Sequence, residues 1–473
     1  MRDLLVAAFI LLALPVCFRR PFIGLLVFTL LAYMRLQDLT WGFARFERWS
    51  FYVAVVTFAG FVLHKGDRKF MSGDLRNWIM IGLAAVVGIS LLASGDLDAR
   101  DVASYSEYAK IIGVALFTTG VVVNREYLRI LVYVIALSFA FYGVKNGLAF
   151  LLSGGSLVVI DGPGGMLADN NDFALALVMG IPMVLHLGLA EERKLLRRSL
   201  LLCVPLMVMA IVATHSRGAF VSLAAMTLLL AWRSRNRVAS FAVIGLAVLA
   251  GVIAAPSSYV ERLGTITQYE EDGSAQGRLA AWKVAGSMIV DKPLFGVGFD
   301  KFQRNYRDYD ENVTTTSDAQ ATPTGTRVAH NSYLQVWAEC GSIAFAMYMT
   351  LLLYSLWDLG RVRRAAEERY HTSWILSYAT MFEAALVAFA VGSMFLNRAH
   401  FDLFYHFVAI VAVFGAIARA EIAAAPERAP ADGPRRPVVR VAPAEGFAPR
   451  ARVGAFGQLA RRAGFARAAT GRG

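Results

Sequence analysis

His330 stands in the stretch VAHNSYLQVWAECG (328–341), directly ahead of a run apolar enough to form a membrane helix. A neutral imidazole accepts a proton near pH 7, which makes this residue the candidate general base. Asn331, Ser332 and Tyr333 give the helix an unusually polar start. Arg217, in THSRGAF (214–220), lies between two apolar blocks so close together that it must sit at a membrane edge. An arginine there costs a few kcal/mol unless it faces a cavity or a partner. Arg278 follows in SAQGRLAAWKVAGSMIVDKP (274–293), whose apolar residues recur near helical spacing. Its guanidinium, like that of Arg217, is a rigid fork of donors that suits phosphate oxygens and stays charged at any working pH. Two arginines and a histidine on one side of a membrane suit a lipid-linked pyrophosphate. The arginines neutralise the pyrophosphate as a leaving group, and the histidine deprotonates an incoming hydroxyl. This chemistry needs neither metal nor nucleotide.

Each candidate has a plainer reading: an interfacial histidine, a snorkelling arginine ending a hairpin, an arginine on a solvated helix face. Further polar groups on the same side are candidate substrate contacts: His215, Asn331, Asn171, Asp172, Lys283, Arg327 and Arg398. For Asn171 and Asp172, in NNDF (170–173), helix N-capping is the simpler role. The triplets DLD (96–98) and DYD (308–310) imitate the DxD motif that holds a divalent metal. Short acidic triplets arise often by chance, and we read them as solvated loop charge, with no metal site.

The elements that must position these residues follow from composition. The chain has 473 residues, 57% of them hydrophobic, and a mean hydropathy of +0.51. Its apolar residues come in blocks long enough to cross about 30 Å of hydrocarbon as helices. The expected fold is an all-α polytopic transmembrane helical bundle of 12 or 13 spans. These fall at 3–18, 21–36, 49–63, 76–93, 107–123, 127–152, 172–189, 199–213, 217–232, 238–255, 333–357, 373–395 and 402–420. The first pair is short enough to be one tight hairpin. The opening block resembles a signal peptide, but it lacks an A-x-A site and runs on into RRP, so it is read as retained.

Basic loops HKGDRK (64–69), EERKLLRR (191–198), WRSRNR (232–237) and RVRR (361–364) fall on one face if the spans alternate, which marks that face as cytoplasmic. The opposite, periplasmic face receives SGDLDARD (94–101), the Gly-rich GGSLVVIDGPGGMLADNND (154–172) and one long segment (256–332). Four regions result: N-terminal membrane helices (1–255), a periplasmic loop module (256–332), C-terminal membrane helices (333–420) and a tail (421–473). Within the module, 274–293 is an amphipathic helix capped by Ser274 and stopped by Pro293, with Trp282 as an interfacial anchor. VTTTSDAQATPTGT (313–326) reads as a mobile loop. From Glu421 the tail has ten arginines against four acids, +6 of the total +12. It reads as disordered and attracted to anionic lipid. No basic-aromatic motif points to nucleic acid, and Cys17, Cys203 and Cys340 form no metal or disulfide pattern.

SRGAF (216–220), GRLAAWKVAGSMIVDKPLFGVGFDKF (277–302) and AHNSYLQVWAECG (329–341) together resemble the O-antigen ligase/polymerase family, in which similar motifs bracket a large periplasmic loop. The resemblance covers roughly 200–345. RRPFIGLLVFTLLAYMRLQDLTWGFAR (19–45) is also similar to the branch of O-glycosylation ligases associated with exosortase systems. The resemblance implies metal-independent, inverting transfer of a glycan from undecaprenyl diphosphate, without a cofactor. It implies that Arg217 and Arg278 hold the diphosphate and that His330 is the base. The acceptor is then a lipid, a protein or the end of another glycan, the last making the enzyme a polymerase. A transporter or flippase is the competing class. Such folds show two related halves with broken helices at the bilayer midplane, whereas these halves differ and the charged candidates lie at the outer edge.

Overall fold

Each of the thirteen apolar blocks falls on a helix. The computed structural model describes residues 1–64, 69–254, 273–310, 326–369, 373–397 and 399–424. In chain order the longer helices are α1 (Arg2–Arg19), α2 (Pro21–Tyr33), α3 (Trp49–Leu63), α4 (Leu75–Ala93), α5 (Ala99–Val121), α6 (Arg125–Leu152), α7 (Asn170–Ala190), α8 (Lys194–Ala213), α9 (Arg217–Arg233) and α10 (Arg237–Ala254). They continue with α11 (Gly273–Asp291), the short α12 (Phe302–Asn305), α13 (Ser332–Glu367), α14 (Ser373–Gly392) and α15 (Asp402–Ala424). Among the described residues, seven are long and apolar enough to span a membrane: Leu75–Ala93, Arg125–Leu152, Asn170–Ala190, Lys194–Ala213, Ser332–Glu367, Trp374–Gly392 and Asp402–Ala424. The other expected spans form helices that are shorter or more charged; α2 has 13 residues, and α5 carries Asp101, Glu107 and Lys110. The chain is thus an all-α polytopic membrane protein. The expected disordered tail begins as helix, since residues 421–424 continue α15, and its remainder from 425, like the loop at 313–325, lies outside the described residues.

The core is built on helices that are apolar all round, as a fully enclosed helix must be. Residues Asp172 to Val184 of α7 are buried without a break, and α15 is buried from Leu403 to Gly415. Helices α6, α8, α9 and α14 pack on α7, while α4, α5, α6, α13 and α14 pack on α15. One element departs from the all-helical expectation. The Gly-rich loop after α6 forms a small hairpin, β1 (Asp161–Gly164) with β2 (Leu167–Asp169), in antiparallel register. Gly164 (φ +106°) and Gly165 (φ +54°) make its turn, and a side chain at 165 would collide with the Arg35 guanidinium.

Hydrogen bonds gather the loops at two ends. At one end Val159 N–H donates to the Ala213 carbonyl (2.8 Å) and Asn170 Nδ2 to the Thr214 carbonyl (3.0 Å). There too Ser332 Oγ donates to the Leu396 carbonyl (2.9 Å), and Arg304 pairs with Asp98 (2.8 Å). At the other end fully buried Arg76 bonds Asp74 and Asp358 (both 2.8 Å), and Glu383 pairs with Arg233 and Arg363. The loops expected on one face therefore meet, and so do those expected on the other.

Candidate active site

Three helices begin at the first of these ends, and the sequence dictates each start. Asp169 caps α7 by accepting from Asn171 N–H, Ser216 caps α9 from Ala219 N–H, and Asn331 caps α13 from Tyr333 and Leu334 N–H. The expected cap in NNDF therefore falls ahead of that stretch, on Asp169, two residues before Asn171. Ahead of two of these caps stands a histidine in the left-handed region, His215 (φ +54°) before Ser216 and His330 (φ +46°) before Asn331. A non-glycine residue in that region is uncommon and stores strain where a site holds it. Here it turns the chain sharply, so that the histidine precedes the helix while the next residue caps it.

His330 sits just outside α13 and is half-buried. Burial first, then the Arg278 charge and more weakly that of Arg327, hold its pKa down to about 4 against an upward pull from Asp169. At neutral pH the imidazole is uncharged and able to take a proton. The structure thus brings together His330, Arg278, Arg327 and Asp169. Arg278 and Arg327 come from opposite ends of the module. Gly277 makes that possible, because any side chain there would collide with the Arg327 guanidinium. Trp282 adds a further restraint: its indole N–H donates to the Ala329 carbonyl (3.0 Å), one residue before His330. The indole expected to anchor the helix at the membrane surface here ties down the residue ahead of His330.

Arg217 is the exposed first residue of α9. Its neighbour Gly218 packs against Phe395 and Leu396, and Leu396 accepts from Ser332 at the start of α13. The Arg217 turn and the His330 turn therefore share one rim. Three helix N-termini at that rim add partial positive charge, which favours an anion. Asn331 spends its Oδ1 on the α13 cap. Asn171 bonds Asp169 and Asn170, and Asp172 is buried in the first turn of α7. Lys283 points elsewhere, into a shallow groove with Asp291 and Tyr309 on the outer side of α11. Arg398 lies outside the described residues. The acids of DLD are engaged: Asp98 caps α5, and both Asp96 and Asp98 pair with Arg304.

The E-x-G pair has a structural role. At Gly341 (φ +79°) α13 is broken. The segment after α11 fills the gap: Val297 and Gly298 N–H donate to the Ala338 and Glu339 carbonyls (both 2.9 Å), and Ser342 N–H donates to the Pro293 carbonyl (2.8 Å). The Glu339 carboxylate is buried beside His400 (3.6 Å) and accepts from Phe302 N–H (3.3 Å). Lys301, also buried, reaches Asp101 (3.2 Å) and Ser94 (2.9 Å). These bonds fasten the module to the membrane helices. Asp169 and His400 had no assigned role in the sequence reading, and Trp282 had only that of an interfacial anchor. An acid just ahead of the NNDF cluster and a tryptophan one turn after Arg278 were the available signals.

A polytopic helical membrane protein with a histidine and paired arginines at one mouth is the class that fold and site define. Comparison with known families agrees: residues 202–349 match the family described as O-Antigen ligase, which spans the Arg217, Arg278 and His330 motifs. The chain thus carries an O-antigen ligase domain over residues 202–349, which supports the O-antigen ligase/polymerase family. Residues 1–193, including the stretch similar to exosortase-associated ligases, match a family of unknown function. No curated protein matches the chain.

Proposed function

We propose that the protein transfers a preassembled glycan from undecaprenyl diphosphate to an acceptor hydroxyl at the periplasmic face of a bacterial inner membrane. The carrying observation is His330, in a left-handed turn just outside a membrane helix and uncharged under the influence of burial and the Arg278 and Arg327 charges. His330 takes the proton of the acceptor hydroxyl. The acceptor oxygen forms its bond to the anomeric carbon as the bond from that carbon to the diphosphate oxygen breaks. The electron pair leaves on the diphosphate, which stays on the polyprenol. Attack opposite the leaving group inverts the anomeric centre. Arg217 and Arg278, with the helix N-termini, take up the charge that develops on the leaving group, where preorganised donors have their largest effect. The diphosphate also changes the base. Its negative charge offsets the two guanidinium groups that hold His330 down, so the imidazole gains basicity when donor is bound. The acceptor hydroxyl belongs to a lipid, a protein or a growing glycan, and the same chemistry serves all three.

The test is glycan transfer by purified protein in liposomes given lipid-linked donor and acceptor, with and without EDTA. Transfer is expected to survive EDTA and to fall about 10²–10⁴-fold in His330→Asn, the range for loss of a general base. Asn tolerates the left-handed backbone, so folding should be kept. Donor crossing the bilayer without product would identify a transporter and sink the proposal, as would an active His330→Asn.

A further inference from the structure

Beside the segment leading to His330, and lined in part by its Thr326 and Val328, lies a cavity of about 320 Å³. Its walls come from the start of α5, α12, the segment leading to His330, the turn before α15 and Glu339 of α13. The lining is polar and cationic, with Arg100, Arg304 and Arg307 beside Gln303, Thr326 and Asn397. The two acids that also face it are already engaged. Asp300 accepts from Ser104 (2.8 Å), and Glu339 is held by Gln335, Phe302 N–H and His400. Arg304 is neutralised by Asp98 and Asp101. That leaves Arg100 and Arg307, both exposed and neither in an ion pair among the described residues. Asp300, whose serine hydrogen bond leaves its charge in place, is the one carboxylate in the described lining free to offset them. The cavity therefore keeps an excess of guanidinium charge that favours an anion. The Asn397 Oδ1 is buried with no hydrogen-bond partner, and a buried acceptor of that kind calls for a donor.

We propose that this cavity binds a sugar residue bearing an anionic substituent, a carboxylate or a phosphate, in the glycan that reaches His330. Arg100 and Arg307 hold the anion by their forks. Gln303, Thr326 and Asn397 exchange hydrogen bonds with the sugar hydroxyls, Asn397 Oδ1 as acceptor. The volume lies at the small end of ligand sites, which run from about 300 Å³, and suits one or two sugar rings. A lipid headgroup is disfavoured, because the lining is mostly amides, a hydroxyl and charged groups, with Phe302 and Val328 its only apolar side chains. The inference rests on the glycan-transfer reading, and binding and transfer are measured separately.

Full-length protein in neutral-lipid nanodiscs is titrated with a uronic-acid tetrasaccharide, with its carboxyl-reduced neutral counterpart and with a phosphate-substituted one. An anionic form is expected to bind at least about tenfold tighter than the neutral form. Arg100→Gln with Arg307→Gln should abolish that preference, while His330→Asn, inactive in transfer, should retain it. Both arginines are exposed, so the pair of changes should leave thermal unfolding in place. If only the phosphate form gains, the site stands and phosphate is its anion. Equal binding of all three saccharides would overturn the proposal, as would a preference that survives the double substitution or competition by anionic phospholipid vesicles. Transfer that persists in His330→Asn beside intact anionic preference would remove the catalytic reading and leave this site standing.

Discussion

His330 must be uncharged to act as a base, yet a base with a pKa of about 4 is weak. The two needs are reconciled if the substrate supplies the missing charge. In the free protein, burial and the two arginines favour neutral imidazole, and it charges only as pH falls toward that value. With a diphosphate bound, the arginines are neutralised and the proton affinity rises. The acid limb of kcat/KM reports the free enzyme and that of kcat the complex. The first is therefore expected well below the ordinary imidazole value of about 6.5, and the second closer to it. Arg278→Gln should move the kcat/KM limb upward, because it removes one of the depressing charges. A kcat/KM limb near 6.5 that ignores Arg278→Gln would show that His330 is not the titrating base. At this scale the sequence disclosed residue types and rough locality: His330, Arg278 and Arg327 are candidates because they lie in one segment. It could not disclose Asp169, whose meeting with His330 depends on the packing of α7 against a segment some 160 residues away. Nor did it show that Lys283 points away from the cluster.

Helix starts and one helix break do the positioning. The motif H-N-S joins three functions in consecutive residues: a left-handed turn, a cap, and a hydroxyl tied to the turn before α15. H-S-R ahead of α9 repeats the turn and the cap and then places Arg217. Such starts were legible because caps are local chemistry, although the α7 cap fell on Asp169, two residues before Asn171. The break at Gly341 was less legible, since E-x-G inside an apolar run reads as uninterrupted helix. Its cause is distant in sequence, the docking of 293–298 onto the freed carbonyls. With φ +79° and ψ −180°, position 341 is one that only glycine adopts cheaply, and a Cβ would strike the Leu294 carbonyl. Gly341→Ala is therefore expected to cost on the order of 3 kcal/mol and to release α11 from α13, with transfer lost. Gly360→Ala, in the same helix with open space around it, should be neutral or slightly stabilising. Thermal unfolding of the two variants in detergent separates the outcomes. Equal behaviour would mean that the break is not what holds the module.

For the whole molecule, orientation decides which leaflet the site can serve. The bundle gathers its loops into two sets, but packing is indifferent to which set faces the cytoplasm. Charge is not. EERKLLRR, WRSRNR and RVRR all lie at one end, and short loops rich in Lys and Arg are retained on the cytoplasmic side. At the other end Arg217, Arg278 and Arg327 run against that bias, which is the reason to give them a ligand rather than a topological role. Orientation is read from the sequence alone, because the rule needs only loop composition and alternation. The site was least legible, because it needs the loops to meet. The orientation can be tested with single cysteines in a Cys203→Ala background, since Cys17 and Cys340 are buried. Ser156→Cys, in the loop after α6, and Ser287→Cys, on the exposed side of α11, should react with a membrane-impermeant maleimide in intact spheroplasts. Glu192→Cys, between α7 and α8, should react only after permeabilisation. The reverse pattern would put His330 and its arginines in the cytoplasm, where a glycan already moved to the outer leaflet is out of reach. The transfer reading would then fail even with every residue at the site correctly placed.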